Sequence, residues 1–206
     1  RWMVLGGLVV SLVIVASTAT WYTVTRKPLP IPTIVDSTAV LPHYMYSIYG
    51  VDKPIGVAVT DDGGRIYVTE AAGEKALRVL DGSGNTISQS GPDGTTSASR
   101  VPVYDARDPL TGEVYVSDRL RGSIDIFDAD GVYQRTLTAP PEVTVWEPLG
   151  LAFDTEGTLY ISDVSGDAHR VLVIDRAGAL VRTISNDGDP MQYPNRLVAV
   201  PITCAR

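Results

Sequence analysis

PIGVAVTDDGGRIYVTEAAGEKALRVLDGSG, residues Pro54 to Gly84, decides the fold, because it returns with small changes at Pro102–Gly131 and again at Pro148–Gly178. The later copies carry GEVYVSD with IDIFDADG, and GTLYISD with VLVIDRAG. Tyr67, Tyr115 and Tyr160 stand 48 and 45 residues apart, while Asp81, Asp128 and Asp175 are separated by 47 each time, as are Gly84, Gly131 and Gly178. Pro54, Pro102, Pro148 and Pro194 keep nearly the same beat. A period of about 20–50 residues marks solenoids, propellers and arrays, whose units bury their apolar faces against one another.

Within a unit the pattern is one of short strands and turns. Gly56–Val59 alternates small and branched residues and stops at the turn cluster Thr60–Gly64; Arg65–Thr69 then restarts as a β-branched and aromatic run. Leu77, Val79 and Leu80 read as a third strand, and Asp81-Gly82-Ser83-Gly84 supplies residues that accept positive φ, so the chain reverses. A fourth, edge strand follows each such turn, at Thr86–Ser88, Tyr133–Thr138 and Leu180–Ser185. Four antiparallel strands in about 45 residues make the blade of a β-propeller. The expected fold class is therefore all-β, with units at 54–101, 102–147 and 148–193 and the opening of a fourth at 194–206.

The combination of P-x-G-(V/L)-A, G-x-(I/V/L)-Y-(V/I)-(S/T)-(D/E) and (I/V)-x-(V/I)-(F/I/L)-D resembles the NHL-repeat family over residues 44–201. That resemblance implies a six-bladed ring and a range of roles: scaffolds, protein or RNA binders, and a few metal-dependent enzymes. Unit two departs from it, since Val103-Tyr104-Asp105-Ala106-Arg107 stands where an apolar first strand belongs. Six units of about 46 residues need about 276. The 206 residues are thus expected to belong to a longer polypeptide, with two half-rings closing as a dimer as the alternative.

Ahead of the repeats, residues 2–25 (WMVLGGLVVSLVIVASTATWYTVT) hold no charge. At about 1.5 Å per residue, a helix of that length spans the roughly 30 Å hydrocarbon core of a bilayer. Trp2 at one end and Trp21 with Tyr22 at the other are placed as interfacial anchors. Residues 1–27 are read as a transmembrane anchor; the rival reading, a cleaved signal peptide, draws on the small residues of Val15–Ala19. Arg1 before the span and Arg26-Lys27 after it would keep the repeats cytoplasmic, but the sequence does not open on Met and upstream basic residues would reverse the count. NHL-like propellers behind a bacterial anchor resemble extracytoplasmic domains, and that side is expected here. A linker over 28–43 follows, three prolines in PLPIPTIV stiffening it into a spacer. His43–Tyr49 (HYMYSIY) reads as an edge strand belonging to a closing blade.

Composition is that of a globular protein, 44% apolar and 20% charged, which argues against disorder or a fibrous class. The first 27 residues hold three basic and no acidic side chains of the totals 17 and 24, leaving 14 and 24 in residues 28–206, a net charge of −10. Such a domain repels phosphate backbones, so no nucleic-acid partner is expected. Cys204 is single and forms no internal disulfide; a buried structural thiol is the reading for it.

Only His43 and His169 are present, too few for a His-rich zinc site, and His169 is read as a loop residue that could contact a partner or the channel. Glu70, Asp118 and Asp163 recur at the end of each second strand. They are candidate metal ligands through the enzymes the family resembles, and otherwise carboxylates holding a hairpin through backbone N–H groups. Asp128-Ala129-Asp130-Gly131 and Asp187-Gly188-Asp189 lack the rest of a calcium loop and read as turns. Asp105 and Arg107 are polar on a strand that should line the channel. An internal ion pair accounts for them, or contact with a ligand or partner does. No cofactor and no catalytic residue is assigned.

The expected role is a membrane-tethered, non-catalytic protein-binding or scaffold module whose partners are subunits of an integral-membrane complex. The alternatives are a calcium- or zinc-dependent hydrolase or lyase acting in the channel, and the outer sensor domain of a receptor.

Overall fold

The computed structural model describes residues 44–166, 169–185 and 191–199. The chain divides after Tyr46, and the repeats lie in the second unit, Ser47–Arg206. The first repeat folds as β1 (Pro54–Val59), β2 (Arg65–Glu70), β3 (Leu77–Asp81) and β4 (Thr86–Ser90). A single 3-10 turn at Ser97–Ser99 leads into β5 (Pro102–Arg107), β6 (Val114–Asp118), β7 (Ser123–Phe127) and β8 (Tyr133–Leu137). The third repeat gives β9 (Pro148–Phe153), β10 (Leu159–Asp163), β11 (Arg170–Ile174) and β12 (Leu180–Ile184). Each set forms its own four-stranded antiparallel sheet in chain order. The polar stretch Pro102–Arg107 is a strand like its counterparts, because its backbone pairs with β6 whatever its side chains are.

The sheets fan out from one side. First strands neighbour one another, β1 beside β5 and β5 beside β9, whereas the fourth strands carry mostly exposed or half-exposed residues. The apolar cores therefore lie between sheets. Tyr67, Leu77 and Val79 of the first meet Val114, Val116 and Phe127 of the second. Ile124 of the second and Leu151, Ile161, Leu172 and Ile174 of the third enclose Trp146, whose indole N–H donates to the Gly122 carbonyl at 2.6 Å. Each side chain so buried stabilises the stack by about 1.5–3 kcal/mol.

Polar groups repeat as faithfully as apolar ones. Thr69 Oγ1 accepts from the Gly56 N–H (2.8 Å) at a register shift in β1 and donates to the Val103 carbonyl of the next sheet (2.6 Å). Ser117 does the same, taking the Tyr104 N–H (3.1 Å) and giving to the Leu149 carbonyl (2.7 Å), and Ser162 takes the Gly150 N–H (2.6 Å). This is why a Ser or Thr precedes the acid in the recurring motif. One hydroxyl satisfies a backbone donor left over by the irregular register and fastens two sheets together.

The turn between β7 and β8 is locked against the first sheet. Arg65 and the Tyr67 hydroxyl donate to the Ala129 carbonyl (2.8 and 3.0 Å), Ser88 donates to that of Asp130 (2.6 Å), and Ser90 to that of Gly131. Gly131 sits at φ +81°, and a Cβ there would stand 2.6 Å from Val79 Cγ2. Gly178, the equivalent residue one repeat later, has φ +85° but an open neighbourhood, with Leu137 at 3.6 Å. Gly131→Ala is expected to destabilise the full chain by about 2–4 kcal/mol, summing left-handed strain and overpacking, and Gly178→Ala by about 1–2 kcal/mol from strain alone. Urea denaturation measures both. Equal losses would show that the turn is not locked.

Residues 44–50 form no strand, and the closing blade expected to hold His43–Tyr49 as an edge strand is not among the described sheets. The three described sheets are each made of their own four strands. The outward side of β1 is correspondingly bare. Val57 is 51% exposed, against 6% for its counterpart Leu151, which the second sheet covers. Among the described residues no helix is long and apolar enough to cross a membrane. The proposed anchor with Trp2, Trp21 and Tyr22, His43, the linker up to residue 43, Asp187-Gly188-Asp189 and Cys204 lie outside the described residues.

Candidate functional site

Where the first strands converge, the residue three after each repeat's proline faces a common cavity: Val57, Asp105, Leu151 and Leu197. Tyr104, Gly150 and Arg196, from the position just before, complete a wall around about 170 Å³. Asp105 is the one carboxylate in this lining. It is 9% exposed, and neither oxygen has a hydrogen-bond partner. Its carboxylate rests against Gly56, where a Cβ would come within 2.1 Å of Oδ1. Burial pushes its pKa up to about 7. Its own N–H, that of Ala58 and the charge of Arg196 pull the other way, neither N–H in hydrogen-bonding geometry.

Arg107 does not neutralise it. No ion pair joins the two, which corrects the expectation of an internal pair. Residues two apart on a strand are separated by about 6.6 Å. Arg107 extends instead to the turn after β5, its guanidinium 3.3 Å from where a Cβ on Gly112 would stand, and its Nε is buried without a partner. The cation nearest in chemistry is Arg196. It lies over the Tyr104 ring at 5.6 Å and shares the cavity, with no hydrogen bond or ion pair among the described residues.

His169 is not part of the cavity. It precedes β11 and its Nδ1 accepts the Tyr193 N–H at 2.9 Å, with the Tyr193 ring edge-on at 5.6 Å. That tie holds the segment after Tyr193, which lays the Asn195 carbonyl and Arg196 Cα against Gly150. His169 thus helps place Arg196.

Glu70, Asp118 and Asp163 do not converge. Each is fully buried in its own sheet and receives the backbone N–H leading into the first strand of that sheet: Asp52 (2.9 Å), Val101 (3.1 Å) and Glu147 (2.8 Å). Glu70 also takes Arg78 (2.8 Å) and Gln89 (2.7 Å), and Asp163 takes the Ser165 N–H (3.1 Å) and Arg170 (2.9 Å). In the second sheet Ser123 pairs across from Asp118 where Arg170 pairs across from Asp163, so Asp118 Oδ2 and Ser123 Oγ are left without partners. Among the described residues no three His, Cys, Asp or Glu side chains form a metal-ligating group. Asp128 Oδ1 accepts the N–H groups of Asp130 and Val132 (both 2.9 Å), so this acid closes its own turn.

Comparison with solved structures supplies the architecture. A streptogramin B lyase superposes with a TM-score of 0.55 at 16% identity, over 72% of this chain and 45% of that one. The virginiamycin B lyase of Staphylococcus aureus gives 0.53 at 19% over 69% and 44%, and a chain of a nidogen/laminin complex 0.54 at 14% over 72% and 52%. The fold is a β-propeller. Likeness at such identity is one of fold, and the chain spans about half the length of these structures. No protein-family model and no curated protein matches the chain.

Sequence reasoning picked out Asp105 but missed Tyr104 and Arg196. The signal was available. Two residues after the recurring prolines stand Gly56, Tyr104, Gly150 and Arg196, and the two exceptions to glycine are the pair that stacks.

Proposed function

We propose that this propeller is a non-catalytic binding module, held to the membrane by residues 2–25 on the extracytoplasmic side and docked to a subunit of an integral-membrane complex. The observation that carries the non-catalytic part is the employment of Glu70, Asp118 and Asp163. Glu70 and Asp163 are already bonded to backbone N–H groups and arginines, and Asp118 commits one oxygen to the Val101 and Arg121 N–H groups within its own sheet, so the three do not form a shared metal or proton-transfer site. The tether rests on the uncharged stretch between Trp2 and Tyr22, and the docking role on the rigid body and loop-bearing rims that a propeller offers. Neighbours in fold include lyases by name as well as a chain of a nidogen/laminin complex, so the architecture itself favours neither class.

Mild-detergent extraction of the full chain, with cross-linking before lysis, tests the docking. An integral-membrane protein joined to it in fixed proportion is the expected result. Metal analysis after dialysis tests the other half, and stoichiometric calcium or zinc would overturn the non-catalytic reading in favour of a channel-site enzyme.

A further inference from the structure

We propose that the cavity walled by Tyr104, Asp105, Gly150, Leu151, Arg196 and Val57 is a binding site for a small free α-amino acid, its ammonium on Asp105 and its carboxylate on Arg196. Buried carboxylates are ordinarily paired, because an unpaired one forfeits its hydration with nothing in return. Asp105 has no such pair, although its three counterparts in the lining, Val57, Leu151 and Leu197, are all apolar. A volume of about 170 Å³ is too large to be one water's niche, which needs about 10–15 Å³, and too small for the usual drug-sized pocket of about 300–1,000 Å³.

The two charges decide the ligand class. Asp105 and Arg196 face one cavity without forming an ion pair within it, and among the described residues the Arg196 guanidinium makes no hydrogen bond or ion pair. A simple amine would answer the acid and be repelled by the arginine; a simple carboxylate would do the reverse. A zwitterion answers both, and Val57, Leu151 and Leu197 offer apolar contact to a short aliphatic side chain. At rest the Asp105 oxygens are turned into the slot beside Gly56, out of contact with solvent. Rotation about the Cα–Cβ bond carries the carboxylate out of that slot toward the cavity it lines. Glycine at 56 keeps that slot open. Tyr104 holds the Arg196 guanidinium in place by cation–π attraction.

This site stands apart from the docking reading, since it uses the inner strands and not the rims or a partner. Titration calorimetry of the full chain with alanine, ethylamine and propionate tests it. Alanine should bind, with each half-ligand weaker by roughly tenfold or more, the loss of one charge-assisted contact. Asp105→Asn and Arg196→Gln should each weaken alanine by a similar factor, while still unfolding in one cooperative transition no lower than the parent's. Alanine affinity should also fall as the pH drops below 7, a dependence absent from Asp105→Asn. No heat with alanine up to about 10 mM, where even millimolar binding registers, would overturn the proposal. So would ethylamine binding as well as alanine, or an Asp105→Asn chain that binds alanine like the parent.

Discussion

Asp163→Ala is expected to cost about 3–5 kcal/mol of folding stability, because it breaks a buried charge pair and leaves its partners behind. Asp163 is buried completely, and its two oxygens serve the Glu147 and Ser165 N–H groups and the Arg170 guanidinium, whose side chain is only 24% exposed. With the acid gone the Arg170 guanidinium keeps only the Val145 carbonyl at 3.1 Å, and the two N–H groups lose the acceptor they share. At about 2–4 °C per kcal/mol for a domain of this size, the melting temperature should fall by about 10 °C. Trp146 packs in the adjoining core and reports the transition through its fluorescence. Asp118→Ala is the matched control. It removes the acceptor of the Val101 and Arg121 N–H groups but strands no arginine, and its second oxygen is unbonded to begin with. Its loss should be about half as large. Two variants melting alike would show that the Arg170 pair contributes nothing.

Asp105→Asn should do the opposite and stabilise the chain, in a manner set by pH. Burial raises the carboxyl of folded Asp105 to about 7 from its ordinary 3.8, so between those values the folded protein holds a proton that the unfolded chain has released. Stability therefore falls as pH rises through that window and levels off above it. The groups facing Asp105 are Arg196 in the cavity and Tyr104 beside it on β5, while β1 and β9 present only Gly56, Val57, Gly150 and Leu151. Asparagine cannot ionise and escapes the penalty. Near pH 4 parent and variant should be equally stable, and at pH 8 the variant should lead by up to about 4 kcal/mol, three pKa units at about 1.4 kcal/mol each. Urea midpoints measured across pH 4–9 decide it. A variant that loses stability at pH 8 would mean that Asp105 has found a partner.

The repeat made the sheets legible in advance. A side chain that recurs every 45–48 residues, such as Tyr67, Tyr115 and Tyr160, does so because each lies in one position of one sheet, and strand limits followed to within two or three residues. Departures from the period were harder to use. Asp105 and Arg107 looked like partners because two steps along a strand share a face, but a long side chain near the strand's end leans away from its neighbour. Arg196 lies 91 residues from Asp105, and only the stacking of one repeat on the next brings them to one cavity. HYMYSIY has the alternation of a strand, yet alternation states a preference, and a strand also requires a neighbour to pair with, which the three described sheets do not supply.

The hydroxyl of Thr69 and that of Ser117 fasten one sheet to the next through main-chain atoms alone. This part of the cohesion between the described sheets does not depend on which side chain stands at the lining position. Valine, aspartate and leucine all occupy the same lining position on strands β1, β5 and β9 with the architecture intact. An engineer could therefore vary that position with these hydroxyl latches left in place, provided each replacement suits its own surroundings, exposed at Val57 and enclosed at Leu151.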